Sequence, residues 1–197
     1  MVLDRRDRRC PLLRIQGWWW ILVFRFSRLD SGRLQLDLSP VDLTRVVDTC
    51  VDDLRTSHVG PPLDVEIELP VGIQIAGDMR YTMLIVWNLV ENARKYSRPG
   101  APLRIVAHET DDDVSLVIGN RAVPIPAASR EYIFERFHRA TVGENIPGHG
   151  LGLNLARELA RLHGGDVTLR RSDEEWTEFE VRFRNFRSQQ TAPLAAA

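Results

Sequence analysis

Four polar side chains are spaced along one stretch of the sequence as they would be on one face of a helix. The first is Asn88, and Glu91, Asn92 and Lys95 follow it at intervals of three, four and seven residues. This spacing stacks two amides, a carboxylate and an ammonium in one stripe. Lys95 is the only lysine among 26 basic residues, and a compact ammonium can approach a phosphate where a planar guanidinium does not fit. The stripe indicates a polar site that could hold phosphate, and the alternative is an ordinary solvated helix face.

A second stretch, Gly148 to Leu153, combines three glycines with the predicted start of a helix. Glycines let the backbone approach a ligand closely, and the unpaired N–H groups and dipole of a helix N-terminus favour an anion. The pattern is typical of phosphate binding, but glycine-rich helix starts also serve as plain hinges. The segment from Thr141 to Gly150 has little apolar content, so we expect it to be mobile.

Three predicted helices position these groups. The central helix can be capped at its start by Asp78 and is followed by Pro99. Its apolar residues recur at helical spacing and predict a buried face: Met83, Val86, Trp87, Val90 and Ala93. An amphipathic helix near residues 42–56 precedes it, and a third helix near 151–163 stops at two glycines.

Alternating apolar and polar residues predict strands between the helices. Six segments fit this pattern: residues 65–69, 73–76, 103–108, 114–118, 167–169 and 179–183. An acidic turn joins the third and fourth of them, which predicts a hairpin. A short helix is predicted through Tyr132 and Phe137. We expect an α/β fold, a two-layer α/β sandwich in which helices cover one face of a mixed, mostly antiparallel sheet.

The composition of the 197 residues limits the classes of protein. The formal net charge is −1, so no basic field points to nucleic acid. Cys10 and Cys50 match no metal-ligand spacing and are expected to be free thiols in a reducing cytoplasm. The apolar stretch 17–24 is shorter than the about 20 residues that span a bilayer, and it lacks a signal-peptide cleavage site. Its three tryptophans are expected to contact a partner, a membrane interface or the core.

Five short motifs in a fixed order carry a family resemblance. Along the chain come NLVENARKYS, VPIP, YIFERFHR, GHGLGL and a helix ending in HGG. Together they resemble the ATP-binding catalytic domain of sensor histidine kinases in the GHKL superfamily, which has the Bergerat fold. We therefore expect this domain at residues 36–186. An N-terminal extension with a remnant of a dimerisation helix is expected at 1–35, and a disordered tail at 187–197.

The resemblance implies roles for the residues of the polar stripe. Asn92 would supply a side-chain oxygen to Mg²⁺, Lys95 would meet phosphate oxygens, and Tyr96 would lie against the nucleoside. Asn88 stands where hydrolytic members of the superfamily place a glutamate that activates water. Because an amide cannot act as that base, kinase rather than ATPase chemistry is implied. The other residues that the resemblance places around ATP are Asn120, Ile125, Phe137, Arg139, Gly148, His149, Gly150, Leu151, Gly152, Leu153 and Thr177.

Several positions depart from the family pattern. Asn120 replaces an aspartate that would accept a hydrogen bond from the adenine amino group, and Ala122 and Pro124 stand where the same motif has glycines. An asparagine carbonyl can still accept one hydrogen bond, without charge assistance. Trp176 replaces a glycine before Thr177, and we expect this tryptophan to crowd the nucleotide pocket.

None of the five histidines lies in the sequence context of a phosphoacceptor. The resemblance therefore implies a catalytic subunit that binds Mg-ATP and phosphorylates a histidine on a separate dimerisation protein, which in turn serves a response regulator. One alternative is a degenerate binding module of the same fold with weak or no use of ATP, and another is a fragment of a longer kinase. We expect a cytoplasmic protein without a transmembrane segment, which a partner could hold at a membrane.

Overall fold

Seven strands and three α-helices make up the part of the chain that the computed structural model describes, residues 35–57, 63–139 and 149–187. In chain order these elements are β1 (Ser39–Asp42), α1 (Leu43–Ser57), β2 (Val65–Glu68), β3 (Gln74–Gly77), α2 (Met79–Tyr96), β4 (Leu103–Glu109), β5 (Asp113–Asn120), α3 (Gly152–Leu162), β6 (Asp166–Ser172) and β7 (Thr177–Arg184). The described residues from Leu36 onward belong to one compact unit.

Five strands form the main sheet in the spatial order β2-β4-β5-β7-β6. The pair β2-β4 is parallel, and the three remaining pairs are antiparallel. The predicted hairpin is β4-β5, in which Leu103 lies opposite Asn120 and Glu109 lies opposite Val114. Side chains alternate between the two faces of a strand, and along β7 every second residue from Thr177 to Phe183 is buried. The mixed, mostly antiparallel sheet is therefore confirmed.

The three helices form the second layer, with α2 in its middle. Helix α2 contacts α1, α3 and β5, while α3 also contacts β6 and β7. Because neighbours surround α2, its burial extends beyond the predicted apolar face and includes Ile85, Leu89 and Asn88. Met83 and Trp87, which were predicted on the buried face, are only half-buried. The predicted two-layer α/β sandwich is confirmed.

A second, two-stranded sheet was not predicted. Strand β1 pairs antiparallel with β3, with Ser39 opposite Gly77 and Asp42 opposite Gln74. A four-residue strand that contains Pro40 carries little strand signal, and proline is tolerated at a sheet edge. The predicted strand at 73–76 therefore exists, but it lies outside the main sheet and meets it through a bridge between Ile75 and Asn185.

The predicted helix through Tyr132 and Phe137 is wrong. A 3-10 helix at Ala127–Ser129 is followed by turns instead. The backbone N–H of Tyr132 donates to Ser129 O at 3.0 Å, and that of Glu135 donates to Tyr132 O at 2.8 Å. Phe137 has φ +64°, a left-handed conformation that an α-helix does not contain. The segment turns out of helical geometry because Phe137 must meet the start of the next element.

Several predictions fall on residues outside the described ranges. These are the N-terminal extension with its apolar stretch 17–24, the segment 140–148 and the tail from 188. Within the described residues, no helix is long and apolar enough to cross a membrane. Cys50 is a free thiol with no exposed surface. Its Sγ donates a weak hydrogen bond to Met83 O at 3.7 Å, and burial raises its pKa.

Candidate functional site

Helix α2 is fixed at its start by a buried aspartate. Asp78 caps the helix as predicted: its Oδ1 accepts from the backbone N–H of Arg80 at 3.0 Å. The guanidinium of Arg80 adds hydrogen bonds of 3.0 and 2.7 Å to the same carboxylate, and the backbone N–H of Asp37 donates to it at 3.2 Å. Burial raises the pKa of Asp78, but these hydrogen bonds outweigh it and hold the pKa below its ordinary value.

The end of α3 is tied to the start of α2 by one histidine. His163 is buried, and its Nε2 accepts a hydrogen bond of 3.1 Å from the backbone N–H of Asp78. Its Nδ1 lies 2.6 Å from Leu159 O and must carry the proton that this carbonyl accepts. The ring is therefore neutral, and burial lowers its pKa. This contact aligns the two helices that carry the predicted phosphate motifs.

Two glycines bring the start of α3 against its neighbours. Gly150 has φ +66°, and a Cβ there would lie 2.7 Å from the backbone oxygen of His138. Its carbonyl accepts a hydrogen bond of 3.0 Å from the backbone N–H of Phe137. A Cβ on Gly152, the first residue of α3, would lie 2.9 Å from Oδ1 of Asn88 on α2. At Gly150 the obstacle is backbone, so only a residue without a side chain fits, whereas at Gly152 the Asn88 amide would have to shift to admit a Cβ.

The first turn of α3 has no side-chain cap. Leu151 stands at the N-cap position, and its apolar side chain makes no capping hydrogen bond to the first N–H groups of the helix. Capping normally satisfies such groups, and without a cap they can bind an anion with the help of the helix dipole. The glycines and the uncapped turn together leave backbone donors at the position where the sequence predicts phosphate binding.

Seven of the residues predicted from the sequence line one cavity of about 90 Å³. They come from α2, from the end of β5 and the loop after it, from the turn before residue 140, from α3 and from β7: Asn92, Tyr96, Asn120, Ile125, Arg139, Leu153 and Thr177. The pairing of β5 with β7 sets Asn120 opposite Thr177. The cavity thus combines groups that are up to 87 positions apart in the sequence, from Asn92 to Phe179.

Arg139 lines this cavity, and its charge acts on Lys95 of α2. Lys95 makes no ion pair within the described ranges, and its Nζ lies 5.3 Å from the centre of the Tyr96 ring. Burial and then the charge of Arg139 lower the pKa of Lys95, and Glu91 acts against them. Glu91 itself is held by Arg94, whose Nε donates to it at 2.8 Å. An anion placed between Lys95 and Arg139 would relieve their repulsion.

The loop between β5 and the 3-10 helix is fastened to the end of β6. The backbone N–H of Ile125 donates to Ser172 Oγ at 2.8 Å, and the guanidinium of Arg130 donates to Ile125 O at 3.0 Å and to Ser172 O at 2.7 Å. The Ser172 and Thr177 hydroxyls are 3.2 Å apart. These bonds fix Ile125 as a wall of the cavity.

The remaining predicted residues that the structure describes are not among those that line the cavity. Asn88 is 8% exposed, and its Nδ2 donates to Leu84 O at 2.8 Å. It therefore lies within the helical layer rather than on a solvated stripe. Phe137 is 72% exposed and His149 is also exposed. Lys95 and Gly152 adjoin the lining residues Tyr96 and Leu153 in the chain, Gly150 and Leu151 lie three and two residues before Leu153, and Gly148 falls outside the described residues.

The expectation that Trp176 crowds the cavity is wrong. Successive residues of a strand face opposite sides, so Gly119 faces away from the cavity that Asn120 lines. Trp176 packs on that opposite side, where a Cβ on Gly119 would lie 3.3 Å from its Cε3. The guanidinium of Arg121 lies over the Trp176 ring at 5.2 Å from its centre. The tryptophan covers the outer face of the sheet and leaves the cavity open.

Five residues that line the cavity were not among the site residues predicted from the sequence: Ala122, Val123, Ile133, His138 and Phe179. Phe179 could have been found, because it lies two residues after Thr177 on the same face of a strand. Ile133 and His138 reach the cavity through the turns that replace the predicted helix. No local pattern in the sequence signals that placement.

Comparison with known proteins points to one family. Residues 77–186 match the family described as "Histidine kinase-, DNA gyrase B-, and HSP90-like ATPase". The "Signal transduction histidine-protein kinase/phosphatase MprB" of Mycobacterium bovis is 32% identical over 148 residues, which are 75% of this chain and 28% of that relative. This chain therefore spans less than a third of the length of that curated relative.

Solved structures agree with the sequence relatives. The structure described as "Mycobacterial sensor histidine kinase MprB" has a TM-score of 0.65 and 26% identity, over 75% of this chain and 98% of that one. The full-length ShkA structure in complex with AMPPNP has a TM-score of 0.70 and 21% identity, over 83% of this chain and 34% of that one. The second likeness shows the fold alone.

Proposed function

This chain belongs to the family of histidine kinase-, DNA gyrase B- and HSP90-like ATPases, and from that membership we propose that it binds Mg-ATP as the catalytic part of a histidine kinase. Phosphate would go from ATP to a histidine on a separate phosphoacceptor protein, and from there to a response regulator. The observation that carries the proposal is the cavity itself, which combines the cationic side chain of Arg139 and the amide of Asn92 with apolar residues. A nucleotide has a matching charged end and a flat, largely apolar end.

The chemistry of the site fits ATP. Its cationic side holds Lys95 and Arg139, next to the uncapped start of α3, and suits the phosphates. Its apolar side includes Ile125 and Ile133, and the buried amide of Asn120 also lines the cavity. No described residue pairs with Asn120 Nδ2, so the amide can rotate to present either its oxygen or its nitrogen to the edge of a bound base.

Magnesium would be held mainly by the nucleotide. Asn92 lines the cavity and is half-buried, so its amide oxygen can reach a ligand there. Mg²⁺ keeps most of its coordination sites for water and phosphate oxygens and needs only one or two protein ligands. When bound, it would neutralise charge on the transferring phosphate. Lys95 and Arg139 would orient the phosphates from the other side.

The amide at position 88 favours phosphate transfer to a partner over hydrolysis of ATP. This side chain is a neutral amide, and its Nδ2 is already bonded to Leu84 O. It cannot remove a proton from water, because an amide is not a base at neutral pH. Its role in the proposal is to hold the start of α3 through the contact with Gly152.

Two measurements test the proposal. Calorimetric titration with ATP, with and without magnesium, should show magnesium-dependent binding, and isolated protein with labelled ATP should label a partner that carries a phosphoacceptor histidine. Asn92→Leu and Lys95→Ala should each reduce transfer by about 100-fold or more, as loss of one group that stabilises the transferring phosphate does. Arg45→Ala removes a charge from the exposed side of α1, outside the cavity lining, and serves as the control.

The outcomes separate the proposed kinase from a binding module. Absence of binding at millimolar ATP would contradict the kinase and favour a module that uses the fold to hold a partner. Intact binding without label on any partner would contradict transfer to a separate protein. Normal transfer by Lys95→Ala would show that the phosphates lie elsewhere.

A further inference from the structure

Asn120 is the buried amide in the apolar part of the cavity. Its side chain is 1% exposed, and it stands at the end of β5 between Leu103 of β4 and Thr177 of β7. The side chains that share this part of the cavity are almost all apolar: Ala122, Val123, Ile125, Ile133 and Phe179. A ligand that reaches this end meets one group able to read a pattern of donors and acceptors.

No described residue fixes the orientation of this amide. Its Nδ2 is buried and has no hydrogen-bond partner among the described residues. The nearest hydroxyl pair, Ser172 and Thr177, is engaged internally at 3.2 Å, and Ser172 Oγ also accepts from the backbone N–H of Ile125 at 2.8 Å. An asparagine carries an acceptor oxygen and a donor nitrogen that exchange places when the amide rotates by half a turn. Both orientations are therefore open to Asn120.

We infer that Asn120 lets the cavity accept purine nucleotides with a 6-oxo group as well as those with a 6-amino group. In one orientation Oδ1 faces the ligand and accepts from the 6-amino group of adenine. After rotation, Nδ2 faces the ligand and donates to a 6-oxo group. Either base therefore finds a matching partner in the amide, so neither is rejected. The inference rests on the proposed nucleotide site and concerns its base specificity.

A carboxylate at the same position would behave differently. An ionised carboxylate offers only acceptors, so it would favour the 6-amino group with charge assistance and repel a 6-oxo group. Rejection of the wrong partner through unpaired or repelling polar groups is a common source of specificity. Replacing Asn120 by aspartate changes this chemistry with little change in volume, which makes it the matched variant.

Binding of ATP and ITP separates the two cases. ITP differs from ATP only at the 6-position and N1, and it lacks the 2-amino group that would need extra room. Calorimetric titration of the whole chain with each nucleotide and magnesium should give dissociation constants within about threefold of each other, because either base satisfies the amide. In Asn120→Asp the dissociation constant for ITP should exceed that for ATP by about tenfold or more. Asn120→Ala should weaken both nucleotides equally.

Three results would overturn the inference. A wild-type chain that binds ATP tenfold or more tightly than ITP would refute it and leave the proposed function standing. A ratio that stays near one in Asn120→Asp would show that another residue reads the base. If neither nucleotide binds, the proposed function and this inference both fail. The wild-type ratio is sufficient by itself if Asn120→Asp does not fold, which circular dichroism would show.

Discussion

The contact between Gly152 and Asn88 joins the two motifs that the sequence singled out, and it supports a sharp prediction. A Cβ on Gly152 would lie 2.9 Å from Asn88 Oδ1, about 0.5 Å closer than the 3.4 Å at which ordinary contact begins. Asn88 cannot simply move aside, because it is buried and its Nδ2 is bonded to Leu84 O at 2.8 Å. Gly152→Ala should therefore displace the amide and break this hydrogen bond.

The magnitude follows from two opposing effects. Leaving a buried amide without its partner costs about 1–3 kcal/mol, whereas alanine is favoured over glycine in a helix by up to about 1 kcal/mol. Gly152→Ala should lower the free energy of unfolding by about 1–2 kcal/mol in the wild-type chain. In the Asn88→Ala background the obstructing atoms are gone, and the same change should be neutral or stabilising by up to about 1 kcal/mol. The sign of the effect thus depends on residue 88.

A double-mutant cycle measures this dependence. Urea unfolding of the four proteins can be followed by tryptophan fluorescence, because Trp87 and Trp176 both belong to the folded unit. The expected coupling energy is about 2 kcal/mol. Distant, independent sites add within about 0.3–0.5 kcal/mol, so effects that add within this limit would refute the reasoning. That result would mean that α3 does not begin against Asn88.

Three further predictions concern stability and charge. Because burial lowers the pKa of His163, the free energy of unfolding should be level above about pH 6.5 and fall as the pH drops below it, where the unfolded chain binds the proton more readily. His163→Gln should remove this fall in urea titrations. Gly150→Ala should lower the free energy of unfolding more than Gly72→Ala. Both glycines have a similar positive φ, but a Cβ at Gly72 meets nothing within 4 Å. Equal losses in the free energy of unfolding would show that φ alone matters. Lys95 is the only lysine, so NMR after reductive methylation reports its pKa directly. That pKa should rise in Arg139→Gln, and an unchanged value would place the Arg139 charge elsewhere.

Much of the fold followed from local pattern. The β4-β5 hairpin, the cap at Asp78 and the extent of α2 and α3 were predictable, because strands repeat every two residues, helices repeat every 3.6, and turns and caps use few residue types. The two errors lie where long-range contacts override such patterns. Pairing with β3 makes a strand of residues 39–42, and the bond between Phe137 and Gly150 turns the chain out of a helix.

The residue types of the candidate site were also readable from the sequence. The amides, the single lysine and the glycines of residues 148–152 each carry their chemistry in any fold. Sequence spacing could not tell which side of α2 each group faces, because helices surround α2 and no face of it is fully solvated. Asn88 therefore proved to be buried, although the polar stripe placed it with Asn92 and Lys95.

The sequence by itself determined the order of the elements and the chemical groups that they carry, since periodicity and residue type are properties of neighbours along the chain. Only the tertiary structure decided which of those groups meet. It set Arg139 near Lys95, placed Asn120 opposite Thr177 at the apolar end of one cavity, and turned Trp176 to the other face of the sheet. The physical reason is that strand register and helix packing fix these distances, and both depend on contacts between residues that are far apart in sequence.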